Sequence, residues 1–254
     1  MTPLLALRGV SRQFGGVAAL SDVTFDVPAG AVIGLIGPNG SGKTTLMNVV
    51  SGVDAPTSGA VLLDGAPVHG LPAHVLARRG IARTFQHIRL IPQLTAAQNV
   101  ALALRRPQAG PADILLRLPR LRRIEAARLS RAEDLLARAG LDRHGAVLAG
   151  DLSYGDRRRV EIARALAAGP RLLLLDEPAA GMTLTERGAL RGLIRGLRAD
   201  GITVVLVEHD MDLVMEVCDE LRVLNQGRPI AAGLPAVLRR DPRVIEAYLG
   251  AEDA

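Results

Sequence analysis

Two rhythms of apolar and polar positions alternate along this chain. Strand-length apolar runs recur at residues 4–10, 18–27, 31–36, 60–63, 81–85, 172–175, 202–207, 221–224 and 229–232. Between them, apolar positions return every three or four residues at 44–50, 72–79, 157–168, 185–197 and 244–249, the helical period. Gly80 stops the second of these helices and Gly169-Pro170 the third. The runs 172–175 and 202–207 are apolar at every position but Thr203, as suits central strands of a parallel sheet covered on both faces. Asp64-Gly65 and Asn225-Gln226-Gly227 sit between short strands and read as hairpin turns. Phe25, in the second strand, is expected to face a core. From residue 94 to 145 the rhythm is helical only, broken at Arg106-Pro107, Gly110-Pro111 and Leu118-Pro119. Strand–helix alternation predicts an α/β chain, with the helical stretch as an inserted subdomain.

One strand-to-helix junction carries a chemical signature. Residues 37–45 read Gly37, Pro38, Asn39, Gly40, Ser41, Gly42, Lys43, Thr44, Thr45, after the run 31–36 and before the helix 44–50. That is the P-loop pattern in the strand–turn–helix context it requires. Its glycines let successive N–H groups turn towards phosphate oxygens, and the helix N-terminus adds partial positive charge behind them. Lys43 can reach the β- and γ-phosphates and the Thr44 hydroxyl can ligate Mg²⁺. Lys and Arg total 31, and Lys43 is the only lysine among them. A guanidinium is too broad to replace its compact charge in a tight phosphate cradle.

Further candidates lie where apolar runs end. Leu172 to Leu175 lead into Asp176-Glu177, and 202–207 into Glu208-His209-Asp210. In open parallel sheets, ligands bind at these carboxyl ends. Adjacent side chains on an extended chain point to opposite sides, so Asp176 can join a Mg²⁺ shell while Glu177 orients or deprotonates water. A lone histidine after a strand is usually structural, but His209 lies at a strand's carboxyl end, where the phosphates would be; Gln86 matters only if its strand end faces the phosphates. Phe14, in a polar stretch, fits an adenine-stacking platform or a core plug about evenly. Ser153, in Leu152-Ser153-Tyr154-Gly155, is placed as an N-cap; followed by glycine, it would open an anion-binding helix end.

Composition narrows the setting. The chain has 254 residues, 48% of them hydrophobic but only 2% aromatic, so its core must be built from Leu, Val, Ile and Ala. The net charge of +5 comes from arginine and reads as the habit of an arginine-preferring source. The cluster Arg117, Arg120, Arg122 and Arg123 carries no interleaved aromatics, which argues against nucleic acid as a partner. Cys218 is the single cysteine, which excludes an internal disulfide and favours a reducing compartment. No signal peptide and no membrane span are expected.

Taken together, the P-loop, Gln86, Leu-Ser-x-Gly, Leu₄-Asp-Glu and His209 resemble the nucleotide-binding subunit of an ATP-binding-cassette (ABC) transporter. The likeness runs along almost the whole chain. Within that family it is nearest the Liv-type branched-chain amino acid importer ATPases, G-like branch. Residues 80–86, 152–155, 158–164, 176–181, 208–211 and 245–250 carry that likeness.

The resemblance implies a P-loop NTPase fold: a RecA-like core sheet with flanking helices, an N-terminal antiparallel β subdomain and an inserted helical subdomain. All of 1–254 would be one ABC ATPase domain, with 1–93 and 156–254 as core and 94–155 as helical subdomain. It implies ATP held by residues 37–45, with Phe14 on adenine. Lys43, Gln86, Glu177 and His209 would be catalytic, with Glu177 the base, His209 the γ-phosphate switch and Gln86 a sensor of Mg²⁺ and the transporter. Mg²⁺ would lie on Thr44, Gln86 and Asp176. Ser153, Tyr154 and Gly155 would bind the ATP of a second subunit. Implied partners are that subunit, two membrane permeases and, indirectly, an extracytoplasmic binding protein, with the chain at the cytoplasmic membrane face. Tyr154 and Asp156 replace the general family's Gly and Gln, as in the Liv-like branch. Thr183 replaces an acid or Asn in the loop after Glu177, and Phe14 a commoner Tyr. The alternatives are a transport ATPase for urea, other amino acids or lipopolysaccharide, and a soluble ABC ATPase outside transport.

Overall fold

The computed structural model describes residues 3–104 and 119–249. Contacts divide the chain into two units: Met1–Gln86, Arg171–Ala180 and Ile194–Ala254 in one, His87–Pro170 and Gly181–Leu193 in the other.

The first unit holds two sheets. An antiparallel sheet has the order β2 (Val17–Val27), β1 (Leu5–Phe14), β4 (Ser58–Leu63), β5 (Ala66–Pro67). A second has the order β10 (Arg228–Gly233), β9 (Glu220–Asn225), β3 (Val32–Ile36), β8 (Thr203–Val207), β7 (Leu172–Asp176), β6 (Ile81–Arg83). From β9 to β6 every pairing is parallel, and only β10 runs back against β9. Leu172 to Leu175 are wholly buried, as their unbroken apolar run requires. Parallel pairing has one consequence for chemistry: β3, β8, β7 and β6 all deliver their carboxyl ends to one edge of the sheet. Helix α1 (Lys43–Val50) follows β3, and Leu46, Met47, Val49 and Val50 join Leu35, Leu174 and Val205 in one core. This unit also holds α2 (Ala73–Arg78), before β6, and, after β8, α7 (Met211–Val217), α8 (Pro235–Leu238) and α9 (Pro242–Leu249).

Both expected hairpin turns form, with positive φ at Asp64 and Gly65 and at Gln226 and Gly227. Two local expectations change. β6 ends at Arg83 rather than at Phe85, since Thr84 N–H makes the last bond, to Leu174 O. β1 runs on to Phe14, which pairs with Val17 across a Gly15-Gly16 turn, so Phe14 closes a strand. Phe25 packs against the core as expected but stays partly exposed, with the Arg222 guanidinium 5.8 Å from its ring centre.

The second unit is helical: α3 (Ala96–Ala101), α4 (Pro119–Arg138), α5 (Tyr154–Leu166) and the start of α6 (Leu184–Ala199). Thr95 and Gln98 cap α3 reciprocally. Asn99 is fully buried and its amide holds the turn before α3 through Ile91, Leu94 and Thr95. In α5, the buried pair Arg158–Glu161 at 2.9 Å lies among Val160, Ile162 and Ala163. Arg122 and Arg123 are exposed on α4. Arg117, the side chain of Arg120, the breaks at 106–107 and 110–111 and Gly250 lie outside the described residues.

Candidate functional site

The loop 37–42 is shaped by glycine. A Cβ on Gly37 would lie 2.1 Å from Leu224 O, and one on Gly42 would lie 2.7 Å from Ala19 O. Gly40, at φ +75°, faces open space. Gly42 is the left-handed N-cap of α1, and no side chain caps that helix. Its first-turn N–H groups are therefore left for an external acceptor. Lys43 is buried and curls back over the loop, Nζ donating to Gly37 O and Pro38 O at 2.7 Å each. Burial lowers its pKa, while Glu177 and Asp176 act to raise it. An uncapped helix end, a glycine cradle and a buried ammonium fit an anion with several oxygens.

The neighbouring strand ends supply acids and a histidine. Asp176, last in β7, is buried and shares one oxygen, Oδ2, with Arg83 Nη2 at 2.9 Å. The same guanidinium donates to Asn48 Oδ1 at 2.7 Å and Ser51 Oγ at 3.1 Å, tying β7 to α1. Glu177 stands at φ +46°, a conformation that costs a non-glycine residue roughly 1–3 kcal/mol. Its carboxylate meets His209 Nε2 at 2.8 Å through Oε1 and Gln86 Nε2 at 3.3 Å through Oε2. Three residues singled out separately in the sequence thus converge on one carboxylate. Thr44, next to Lys43, is exposed, with its hydroxyl on the helix's first turn. Hard oxygens from Thr44, Asp176 and Gln86 suit Mg²⁺ by ligand chemistry.

Phe14 is 43% exposed, which rules out a core plug. The Arg12 guanidinium lies 4.4 Å from its ring centre. The sequence reading missed two supports. Glu208 is buried, with Oε1 accepting from Ala179 N–H at 2.6 Å and Oε2 from His209 N–H at 3.0 Å, so it joins the loops after β7 and β8. Burial raises its pKa. Tyr248 Oη accepts from Gly37 N–H at 2.9 Å, fastening helix α9 (Pro242–Leu249) to the head of the loop.

In the helical unit Ser153 is the N-cap of α5, and Oγ accepts from Asp156 N–H at 3.1 Å. Tyr154 is exposed and Gly155 buried. The Ser153 hydroxyl, at 2.9 Å, and the Gly155 N–H, at 3.1 Å, both donate to Glu186.

This sheet and this loop define a P-loop NTPase. The family model described as "ABC transporter" matches residues 20–180. Another, described as "Branched-chain amino acid ATP-binding cassette transporter", matches residues 228–254. The chain is 43% identical over 254 residues to BraF, the high-affinity branched-chain amino acid transport ATP-binding protein of Pseudomonas aeruginosa, covering 98% of each. It is 43% identical over 250 residues to the corresponding LivG of Escherichia coli, again covering 98% of each. Among solved structures it is similar to the ADP conformation of MJ1267, an ATP-binding cassette of an ABC transporter, at 30% identity and a TM-score of 0.83 over 98% of this chain and 100% of that one. The chain belongs to the ABC transporter family, whose cassettes bind and hydrolyse ATP.

Proposed function

We propose that this chain is the ATP-hydrolysing subunit of an importer for branched-chain amino acids. The observation that carries the reading is the 43% identity to BraF and LivG along 98% of both chains. In this reading residues 37–45 wrap the phosphates, Lys43 leaves its loop carbonyls for the β- and γ-oxygens, and Phe14 stacks on adenine. Thr44, Asp176 and Gln86 would hold Mg²⁺, which would neutralise charge on the phosphates. Glu177 takes the proton of the attacking water, with His209 and Gln86 fixing its two oxygens.

Ser153, Tyr154 and Gly155 serve the nucleotide of a second ATP-binding subunit, so the working unit is a pair. A cassette 29% identical to this chain has been solved as a dimer bound to ADP and Pi. No helix among the described residues is long and apolar enough to cross a membrane. Attachment through two permease subunits at the cytoplasmic face fits that, with an extracytoplasmic binding protein selecting the cargo.

The test is uptake. Cells lacking this gene should lose high-affinity leucine, isoleucine and valine uptake and regain it with the chain. Lys43→Arg should not restore it, and should bind ATP at least about tenfold more weakly in a nucleotide titration. Undiminished uptake without the gene contradicts the cargo, and wild-type ATP affinity in Lys43→Arg contradicts the loop's role.

A further inference from the structure

Glu186 lies in neither the loop nor the strand ends, yet its carboxylate is among the most fully engaged in the helical unit. Oε2 accepts from the Thr183 N–H and from the Thr183 hydroxyl, each at 2.9 Å. Thr183 Oγ1 in turn accepts from Glu186 N–H at 3.3 Å. That is a capping box opening α6, and it explains one oxygen. It does not explain the other. Oε1 crosses to α5 and takes the Ser153 hydroxyl and the Gly155 N–H. A Cβ at position 155 would sit 2.4 Å from the Glu186 carboxyl carbon, so only glycine admits this approach. The donors around it hold the Glu186 pKa down to about 2, so it stays ionised at any pH at which the protein works.

We infer that Glu186 is a built-in competitor at the start of α5: its carboxylate occupies the Ser153 hydroxyl and the Gly155 N–H until a partner-bound nucleotide displaces it. The inference rests on the proposed role of Ser153 and Gly155 and adds the regulation of that site. A hydroxyl hydrogen and a backbone N–H each serve one strong acceptor at a time, so Ser153 and Gly155 can serve a γ-phosphate only after Oε1 has let go. Two anions cannot share the spot, because like charges a few ångströms apart repel and the phosphate brings more charge. Oε2 can keep Thr183 while the carboxyl swings away, so release costs the two bonds to α5 and leaves the cap of α6 intact. Thr183 thereby gains a role: in place of an acid or Asn it supplies both an N–H and a hydroxyl to hold the displaced carboxylate. Reoccupation of Ser153 and Gly155 by Glu186 would favour reopening once phosphate has left. The ATP level at which two subunits close is then set partly by this chain.

The test uses the Glu177→Gln chain, in which hydrolysis is slowed, with its partner cassette where the pair is heteromeric. Association is followed by light scattering against ATP with Mg²⁺. Adding Glu186→Gln keeps a capping-box residue but removes the charge. It should lower the ATP midpoint about tenfold, the equivalent of one charge-assisted hydrogen bond. Thr183→Ala weakens the cap and the hold on the displaced carboxylate but leaves the Glu186 charge in place, so it should lower the melting temperature without lowering that midpoint. An unchanged or higher midpoint for Glu186→Gln overturns the inference. Loss of association in Glu177→Gln alone overturns the paired-subunit reading on which it rests. A carboxyl ¹³C titration of the single chain separates the two failures. Glu186 should stay ionised down to the acid limit of the folded protein, and Ser153→Ala should raise its pKa; titration in the ordinary glutamate range refutes the contact itself.

Discussion

In the proposed site, Arg83 holds Asp176 where Mg²⁺ would need it. Its side chain is 7% exposed and its fork spans Asn48, Ser51 and Asp176. With Oδ2 taken, Asp176 presents its other oxygen. A lysine offers no planar fork and cannot make the three contacts at once. Arg83→Lys should therefore raise the Mg²⁺ concentration for half-maximal ATP turnover by about 10–100-fold, the usual range for a residue that orients a metal ligand. ATP binding without metal should change much less. Parallel titrations of turnover against Mg²⁺ and of metal-free ATP affinity check this, and an unmoved Mg²⁺ midpoint refutes it. Sequence displayed Arg83 and Asp176 as residue types, but 93 positions separate them and nothing local says that they touch. Glu208 and Glu186 were hidden for the same reason. Lys43 and Glu177 were legible as candidates because a glycine loop and a strand end mark where they stand, whereas His209 and Gln86 were picked out by the family resemblance.

At the scale of elements, the parallel strands were the easiest to read, since burial on both faces leaves an unbroken apolar run. β1 was cut short at Val10 because the residues beyond it are partly buried or exposed and its pairing with β2 slips between Leu7 and Val10, between Val10 and Arg12 and between Arg12 and Gln13. Helix α7 (Met211–Val217) went unread. Asp210 caps it by accepting from Leu213 N–H at 3.0 Å, a signal that the sequence reading passed over. The C-terminal helix was expected from its period, but not its tie to the loop. Tyr248→Phe keeps the packing of α9 and leaves the Gly37 N–H without its acceptor. A buried donor left unpaired costs about 1–3 kcal/mol. The variant should melt earlier and raise KM for ATP several-fold while kcat changes little, because the loop is loosened and Glu177 is untouched. A kcat loss with constant KM would place Tyr248 in the chemistry instead.

The whole molecule joins two kinds of structure with two kinds of task. The sheet unit carries the loop, the acids and His209 on one edge, and the helical unit carries Ser153 and Gly155 at a helix start held by Glu186. The α/β class followed from alternating rhythms, and the helical insertion from a stretch that has one rhythm only. The division between units could not be read so directly, because α5 follows Ser153 with no break in period and yet packs its buried face on α3 and α4. The central claim is that ATP is held by one set of groups and cleaved by another, Glu177. Single-turnover hydrolysis by Glu177→Gln, measured beside its equilibrium affinity for ATP with Mg²⁺, tests it most directly. Hydrolysis should fall about 10²–10⁴-fold, as when a general base is removed, with affinity within a few-fold of the parent. Hydrolysis at the parent rate, or affinity lost in step with it, would contradict the assignment.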